Sequence, residues 1–446
     1  MTAVPAVVKM VSLDTTAYKI VSRLHEAGYI AYFAGGAVRD RLLGKEAHDI
    51  DIATDARPED VQRLFRRTEP IGVQFGIVLV IENGQPFEVA TFRADGNYLD
   101  GRRPQGVSFT TPEGDAARRD FTVNGLFYDP LENKILDFVG GRADLDARIL
   151  RAIGDPRERF TEDKLRILRA VRFATTLGFD IEPATWQAVC DFAPEIRVVS
   201  AERIRVELIK IFTSPNRARG LDLLDESGLL GILLPEVSAC KGCEQPPDFH
   251  PEGDVFVHTR LMLENLDLAI SPELALATLL HDIGKPPCRR VDSTGRIRFN
   301  GHESVGARLA AEILRRYRFS NDEVTAVEEM IANHMVFKDT PRMRISRLRR
   351  FMARPTFEQE MELHRVDCAS SHGEMDIYEF LRAKQEEFRN EPLVPPRLLT
   401  GKDLLALGWR PGPRLGKILN EIQNRQLEGE LTTREAALSW LMNNEK

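Results

Sequence analysis

Two adjacent glycines, Gly35 and Gly36, constrain the fold of this chain most strongly, because the sequence changes its periodicity across them. Residues 30–34 form a short apolar run typical of a buried strand, and residues 37–43 have the pattern of a helix. Glycine pairs favour tight turns, so a strand, a turn and a helix are expected in direct succession. A helix that opens in this way presents backbone N–H groups and a positive dipole end, which favour a phosphate group.

Two carboxylates, Asp49 and Asp51, follow that helix in the strand-like stretch 48–52. In an extended strand, side chains two positions apart point to the same face, and paired carboxylate oxygens suit Mg²⁺. Glu88, in the strand-like stretch 86–93, is a candidate third carboxylate. A triphosphate held at the glycine turn, near Arg39, would lie beside these groups, and metal ions would bridge phosphate and attacking hydroxyl. This order of elements indicates nucleotidyl transfer.

The amino-acid composition limits the classes of protein to which this chain can belong. The 446 residues are 43% hydrophobic and 29% charged, which is enough for several domains with buried cores. No apolar run approaches the roughly 20 residues that span a bilayer, and no signal-like segment opens the chain, so we expect a cytoplasmic protein without a membrane partner. The five cysteines are scattered, and the single pair Cys240 and Cys243 does not predict a structural zinc site.

Basic clusters stand out against a net charge of −7. Those that precede residue 173 fall around the predicted site and are expected to contact phosphates. A later run is typical of a solvated face. It contains Arg342, Arg344, Arg347, Arg349 and Arg350.

The distribution of strand-like and helical segments along the chain predicts four parts. Residues 1–154 alternate strands and helices, 155–238 and 239–391 are helical, and 392–446 form a helical tail after a proline-rich linker. Residues 95–112 are predicted to be a long loop, and a helix is predicted over 161–177 with Asp155 or Thr161 as its cap.

The start of the second part, residues 155–238, contains another group of candidate functional residues. Residues three or four apart share a helix face, so Asp163, Arg166 and Arg169 are predicted to form one polar stripe. A carboxylate acceptor beside a guanidinium donor makes a fixed hydrogen-bonding edge for a nucleobase. An ordinary salt bridge on a solvated helix face is the alternative.

Together these motifs resemble the bacterial class II tRNA nucleotidyltransferases and poly(A) polymerases. The resemblance covers residues 35–40, Asp49 and Asp51, 118–125, 162–166 and 201–208 in the family's order. It implies an α+β fold, with a polymerase β-like head followed by an all-helical neck, body and tail that include an HD-type domain. It also implies tRNA, bound at its 3′ end and acceptor region, as partner, and CTP and ATP as donors.

The resemblance further implies roles for individual residues. Asp49 and Asp51 would hold two Mg²⁺ ions, assisted by Glu88. Triphosphate and ribose contacts would come from Gly35, Gly36, Arg39, Arg118, Arg119, Asp120 and Asn124. Base recognition would fall to Asp163 and Arg166, with Arg169 and Arg172 nearby.

Which nucleotides are added is a separate question. Family members that add only CC lack part of a loop that is complete here, at residues 92–104. A complete loop favours A addition and leaves three activities open: CCA addition, addition of the terminal A alone, and poly(A) synthesis. Poly(A) polymerases of this superfamily usually carry a basic C-terminal extension, which this chain lacks.

A second set of residues resembles the HD metal-dependent phosphohydrolases. His258, the pair His281 and Asp282, and a distant Asp367 follow that order, with His302 and His334 as further candidates. Imidazole and carboxylate suit a divalent transition metal, which lowers the pKa of bound water. Two alternatives follow: phosphohydrolysis as the main activity with the head as a nucleotide sensor, or a non-catalytic RNA-binding module.

Overall fold

The computed structural model describes residues 12–46, 49–72, 75–95, 107–247 and 250–444. The chain divides into two units, Met1–Leu233 and Leu234–Lys446. Among the described residues, no helix is long and apolar enough to cross a membrane.

The first unit combines a mixed sheet with helices. Its strands are β1 (Ala31–Ala34), β2 (Asp51–Thr54), β3 (Thr68–Gly72), β4 (Ile77–Glu82), β5 (Gln85–Thr91), β6 (Arg93–Asp95), β7 (Val107–Phe109), β8 (Phe127–Asp129), β9 (Lys134–Leu136), β10 (Ile149–Leu150) and β11 (Asp180–Ile181). Its helices are α1 (Ser12–Glu26), α2 (Gly36–Leu42), α3 (Pro58–Leu64), α4 (Pro112–Ala117), α5 (Gly141–Ala147), α6 (Pro156–Glu162), α7 (Leu165–Leu177), α8 (Pro183–Phe192), α9 (Ala201–Phe212), α10 (Arg217–Glu226) and α11 (Leu229–Leu233), with 3₁₀ turns at Thr122–Asn124 and Ala193–Val198.

Seven strands form the main sheet, in the order β3-β4-β5-β2-β1-β8-β9. Strands β2 and β5 are parallel, and the other neighbours are antiparallel. Phe92 and Phe127 pack edge to face in the core of the sheet, with ring centroids 5.9 Å apart. The predicted α+β head is therefore confirmed, with β1 and β2 at its centre.

Two local predictions need correction. The predicted loop 95–112 begins and ends in a hairpin, because β6 pairs with β7, whose Val107 and Phe109 favour a strand. Residues 96–106, which hold most of the loop at 92–104, lie outside the described residues. The predicted helix 161–177 is two helices: Asp155 caps α6 by accepting from the Arg157 N–H at 2.8 Å, and α6 ends at Glu162.

The second unit is predominantly helical. Its elements are α12 (Pro235–Ser238), α13 (Val255–Asn265), α14 (Pro272–Leu280), α15 (Lys285–Cys288), the short strands β12 (Arg290–Val291) and β13 (Ile297–Arg298), α16 (His302–Arg316), α17 (Asn321–Asn333), a 3₁₀ segment His334–Arg342, α18 (Ile345–Met352), α19 (Phe357–Ser370), α20 (Asp376–Glu387), α21 (Gly401–Ala406), α22 (Pro413–Leu427) and α23 (Arg434–Asn444). One core cluster surrounds Phe337, Phe351 and Phe357, and another lies between α21, α22 and α23.

Candidate active site and metal centre

The carboxylates of the first unit lie side by side on neighbouring strands. Asp51 opens β2 and pairs with Ala34 of β1, while the parallel register of Ile52 with Val89 continues by one step to set Asp51 beside Glu88. Asp49 precedes the strand rather than lying within it. Burial still alternates from residue 49 to 52, with both aspartates exposed, so the predicted common face is retained.

The electrostatics of Asp51 show how concentrated this negative charge is. Although part of the Asp51 side chain is exposed, nearby protein atoms desolvate its carboxyl group and, together with the charges of Glu88 and Asp49, raise its pKa to about 6. Arg119 opposes that shift. A carboxylate that is hard to ionise beside two others fits a site that binds a divalent cation, which relieves the repulsion. The groups of three ligands within 4.8 Å that occur in the described chain all lie in the second unit.

The glycine turn lies next to these carboxylates, because Gly35 directly follows Ala34. Gly35 has φ +69, a left-handed conformation that side chains rarely adopt. A Cβ at this position would lie 2.8 Å from Nη1 of Arg119. Glycine therefore allows the Arg119 guanidinium to approach the backbone where α2 begins.

Asp115, which the motif analysis did not single out, positions both arginines of the 118–119 pair. Its carboxylate is buried and forms ion pairs with Arg118 at 2.7 Å and Arg119 at 3.0 Å. Burial acts to raise the pKa of Asp115, but the two guanidinium groups lower it overall. The spacing of three and four residues along a helix was the signal for this contact.

A buried chain of polar groups connects α2 with α7. Arg39, predicted to contact the triphosphate, is buried, donates to Asn124 Oδ1 at 2.5 Å and pairs with Asp40 at 2.8 Å. The Asn124 amide donates to Asp120 Oδ1 at 3.0 Å, and Asp120 accepts from Arg169 Nη2 at 2.5 Å. Burial opposes ionisation of Asp120, but Arg169 and Asn124 hold its pKa well below its usual value. Asn124 and Asp120 are thus structural links in this arrangement.

The predicted polar stripe of Asp163, Arg166 and Arg169 is wrong in one respect, because Asp163 is not within a helix. It has the extended dihedral angles φ −139 and ψ 106 at the end of α6, and its carboxylate accepts from the Leu165 N–H at 3.0 Å. Arg203 of α9 binds that carboxylate through two N–H donors, at 2.6 and 3.1 Å.

The arginines of α7 are held by different partners. Arg166 pairs with Glu162 at 2.5 Å and donates to the Arg118 carbonyl at 2.9 Å. Arg172 pairs with buried Glu207 of α9 at 2.6 Å. Motif 201–208 thus supplies the groups that hold Asp163 and Arg172 in place, a role that sequence analysis did not assign to Arg203 or Glu207.

The second unit brings all four predicted HD residues together. His258 Nε2 lies 3.1 Å from Asp367 Oδ1, and His281 Nε2 lies 3.0 Å from Asp282 Oδ2. His302 and His334 join them, with Nε2 atoms 3.4 and 3.9 Å from Asp282 Oδ1. Three overlapping groups of three have all ligand atoms within 4.8 Å: His250, Glu252 and His258; His258, His281 and Asp282; and Asp282, His302 and His334.

Backbone carbonyls orient three of these imidazoles. The Nδ1 atoms of His281, His302 and His334 lie 2.9, 2.8 and 2.6 Å from the carbonyl oxygens three residues before them. A carbonyl only accepts, so each Nδ1 carries a proton, and Nε2 is the ring atom that points toward Asp282 and is available to a metal. Metal-binding histidines are commonly oriented in this way.

Several buried atoms in this cluster fit a bound cation. Within the described residues, His258 Nε2, His281 Nε2 and Asp282 Oδ1 make no hydrogen bond, although polar neighbours lie within 3.4 Å. The Nε2 atoms of His302 and His334 are 3.1 Å apart, and burial lowers the pKa of His334 to about 4. Both Nδ1 atoms are bound to carbonyl oxygens, so the two Nε2 atoms face each other, and a divalent metal is a suitable partner for both.

Carboxylates support the outer side of the cluster. His258 Nδ1 lies 2.6 Å from Glu252 Oε1. Burial acts to lower the pKa of His258, but Asp367 and Glu252 raise it to about 9, so a metal ion that binds Nε2 must displace a proton from it. The cluster opens into a cleft of about 970 Å³ whose lining includes the cationic residues Lys285, Arg298 and Lys338. The same lining includes five carboxylates, and the cleft is large enough to admit a phosphate ester.

Comparisons with known proteins agree with this arrangement. The sequence matches the Poly A polymerase head domain over residues 31–151, the probable RNA and SrmB-binding site of polymerase A over 178–241, and the HD domain over 255–369. The CCA-adding enzyme of Levilactobacillus brevis is 33% identical over 422 residues, covering 94% of this chain and 95% of the relative. That of Streptococcus gordonii is 45% identical over 423 residues, covering 93% of each.

Solved structures share the fold. The crystal structure of the Bacillus stearothermophilus CCA-adding enzyme in complex with CTP matches with a TM-score of 0.73 and 28% identity, covering 97% of this chain and 98% of that one. The Thermotoga maritima CCA-adding enzyme complexed with tRNA has the same fold, with a TM-score of 0.62 at 18% identity. Sequence identity over nearly the full length of both chains, the three domain matches in order and the shared fold lead to one conclusion: this chain belongs to the family of CCA-adding enzymes.

Proposed function

We propose that this chain acts in the cytoplasm and adds C, C and A to the 3′ end of tRNA, with CTP and ATP as donors. The observation that carries the proposal is the register of β1 with β2, which pairs Ala34 with Asp51. This register sets the turn at Gly35 and Gly36 beside the carboxylates of Asp49, Asp51 and Glu88. The relatives named above are CCA-adding enzymes, and one of their structures contains CTP and another tRNA.

The residues of the head would bind and orient the reactants. Asp49 and Asp51, with Glu88, are suited to hold Mg²⁺, which when bound supplies charge stabilisation for the hydroxyl and the leaving pyrophosphate. Arg119 lies over the Gly35 turn and is suited to contact the triphosphate. Because Arg119 is held by its ion pair with buried Asp115 before substrate arrives, little reorganisation of its guanidinium is needed on binding.

Base selection would fall to the junction between α6 and α7. Asp163 offers a carboxylate acceptor and Arg166 a guanidinium donor, and both are held by neighbouring side chains. Fixed donors and acceptors distinguish bases by the hydrogen bonds that a wrong base leaves unmade. Protein groups would thus replace a nucleic-acid template. The tRNA itself would be recognised by shape and phosphate contacts, because the deep major groove of A-form RNA hides its base edges.

Substituting the carboxylates tests this proposal. Asp49→Ala and Asp51→Ala should each abolish incorporation of CTP and ATP into tRNA that lacks its CCA end, without lowering Tm. Glu69→Ala is the matched control, because Glu69 is an exposed carboxylate on β3 of the same sheet. Retained incorporation in either aspartate variant would contradict the metal assignment.

We propose metal-dependent phosphate ester hydrolysis as a second function, located in the HD cluster. The observation in its favour is the convergence of six ligands, four of them histidines, in a cleft of about 970 Å³. His258, His281, Asp282 and Asp367 are suited to hold a divalent transition metal, with His302 and His334 available for a second ion. A metal bound there would supply hydroxide at neutral pH.

Two variants separate the functions. His281→Ala should remove hydrolysis of bis(p-nitrophenyl) phosphate measured with Mn²⁺ or Ni²⁺, and leave nucleotide incorporation unchanged. Asp51→Ala should abolish nucleotide incorporation and leave hydrolysis of bis(p-nitrophenyl) phosphate unchanged. The metal content of the purified protein, measured by mass spectrometry, should fall in His281→Ala. Equal metal content and equal hydrolysis in both variants would contradict the second function.

A further inference from the structure

A buried aromatic ring lies among three arginines of the first unit. Phe173, on α7, has an exposed fraction of only 5%. The guanidinium carbon atoms of Arg172, Arg169 and Arg39 lie 3.5, 5.2 and 5.3 Å from the centroid of its ring. A guanidinium within about 6 Å of an aromatic face is attracted by the negative potential of that face. Because Arg39 belongs to α2, this ring joins two helices that are distant in the sequence.

The ring of Phe173 is itself fixed by the core. Phe121 packs edge to face against it, with ring centroids 5.7 Å apart and an interplanar angle of 74°. Phe121 is fully buried and directly follows Asp120 in the chain. The segment that links Arg39 to Arg169 by hydrogen bonds therefore also sets the position of the ring.

The guanidinium of Arg39 lies against the glycine turn. A Cβ at Gly36 would lie 3.6 Å from its Nη2 atom. Its hydrogen-bonding partners are Asn124 and Asp40, both of which lie in the head. The ring of Phe173 is thus the direct contact between Arg39 and the helix that follows the base-recognition junction.

The positive charges around the ring are crowded. Each of the three guanidinium groups has one carboxylate partner, at Asp40, Asp120 or Glu207. Burial and the charge of Arg169 nevertheless lower the pKa of Arg172. An aromatic face supplies negative potential from the centre of this cluster, which an aliphatic side chain of similar size does not.

We propose that Phe173 is a positioning residue for nucleotidyl transfer, whose ring holds Arg39 where it meets the triphosphate of the incoming nucleotide. The proposal rests on the proposed CCA addition and on the triphosphate contact predicted for Arg39. Phe173 is buried and acts through Arg39 rather than by touching the nucleotide. Because CTP and ATP carry the same triphosphate, the ring should affect both equally and leave the choice of base unchanged.

The test measures the affinity for CTP without tRNA, by isothermal titration calorimetry in the presence of Mg²⁺. Phe173→Leu should weaken CTP binding about tenfold, because a buried cation–π contact corresponds to a factor of about 5 to 30. Binding of ATP should weaken by the same factor. In extension assays kcat/KM should fall together for CTP and ATP, and the ratio of kcat/KM for CTP to that for UTP should not change.

Two further variants separate the ring face from its packing. Replacement of Phe173 by trifluorophenylalanine withdraws negative charge from the face and barely changes the size of the ring. It should weaken CTP binding about fivefold with Tm unchanged. The double variant Arg39→Gln/Phe173→Leu should bind CTP no more weakly than Arg39→Gln alone, because the ring acts through that arginine.

Phe212→Leu is the matched control. Phe212 is fully buried in α9 of the same unit, and within the described part of the chain no arginine or lysine lies over its ring. This variant loses the same atoms from a packed core, so its Tm should fall to a similar extent. Its affinity for CTP should equal that of the unchanged protein.

The outcomes distinguish the positioning role from the proposed function. Unchanged CTP affinity in Phe173→Leu or in the trifluorophenylalanine variant would overturn the role of the ring, and so would equal weakening in Phe212→Leu. A full further loss in the double variant would show that the ring does not act through Arg39. Failure of the unchanged protein to extend tRNA would instead overturn the proposed function, and CTP binding would still report on the ring because it requires no catalysis.

Discussion

Arg203 allows the sharpest test of how base selection is built. Its guanidinium holds the Asp163 carboxylate through two N–H donors at 2.6 and 3.1 Å, and both side chains are mostly buried, with exposed fractions of 26% and 17%. In Arg203→Ala, Asp163 keeps only its bond from the Leu165 N–H among the hydrogen bonds described above. The carboxylate is then free to turn away from the edge that would face the base.

The expected loss of nucleotide discrimination follows from those two hydrogen bonds. Charge-assisted hydrogen bonds contribute about 1.5–3 kcal/mol each, so we take about 2 kcal/mol for the lost orientation. This amounts to roughly a 30-fold loss of discrimination, since about 1.4 kcal/mol corresponds to a factor of ten. The assay is the ratio of kcat/KM for CTP to that for UTP in single-nucleotide addition to tRNA. Arg203→Lys should retain part of that ratio, because an ammonium is a point charge without the planar fork.

Lys210→Ala is the control for Arg203, because Lys210 is an exposed cation on the same helix. It should leave the ratio unchanged. A purely structural role for Arg203 would lower Tm and the rate with all nucleotides together, with no change in the ratio. An unchanged ratio in Arg203→Ala would refute the reasoning that Arg203 positions Asp163 for base recognition.

Three further predictions follow from the structure. Asp115→Asn should lower the free energy of unfolding by about 3 kcal/mol at pH 7, because it leaves Arg118 and Arg119 without their buried partner. The lowered pKa of Asp115 in the folded chain means that its stabilisation is present above its usual pKa near 4 and is lost as pH falls further, so denaturation of the variant and unchanged protein should converge in acid. Gly35→Ala should reduce nucleotide incorporation strongly, because its Cβ would lie 2.8 Å from Arg119 Nη1. Gly44→Ala is the control: Gly44 has φ +70 with open space around it, so this variant should add only backbone strain. Equal incorporation by the two variants would contradict the close approach of Arg119 to Gly35. Adding Mn²⁺ or Ni²⁺ to chelator-treated protein should raise Tm with metal concentration, because metal binding stabilises only the folded state. Asp282→Ala should remove that rise. The same rise in Asp282→Ala would mean that the metal binds elsewhere.

The sequence predicted strand β1, helix α2 and strand β2 because the signals for these elements are local. The strand before Gly35 and the helix after it both follow from hydrophobic periodicity and short turns. Strand β3 lacked that signal. Its residues are mostly exposed at the edge of the sheet, so no apolar alternation marks it.

The local sequence pattern could not predict the helix break at Asp163 or the partners of the buried arginines. The pattern of three- and four-residue spacings continues through residues 161–177, and the break is made by the Asp163 side chain accepting from the Leu165 N–H rather than by glycine or proline. Arg203 lies 40 residues from Asp163, and Arg169 lies 49 residues from Asp120. Such pairs are set by how the helices pack. His302 and His334 were recognisable as metal-binding candidates by residue type, but only packing shows that they meet at Asp282.

The most direct test of the central claim is extension of three tRNA transcripts, ending at the discriminator base, at C and at CC, with CTP and ATP supplied separately and together under Mg²⁺. The account predicts that all three grow to CCA when both nucleotides are present. With ATP alone, only the transcript ending in CC should gain a nucleotide. Extension of that transcript alone under every condition would mean addition of the terminal A only, and continued addition of A beyond CCA would mean poly(A) synthesis. Extension of none would contradict nucleotidyl transfer by this chain.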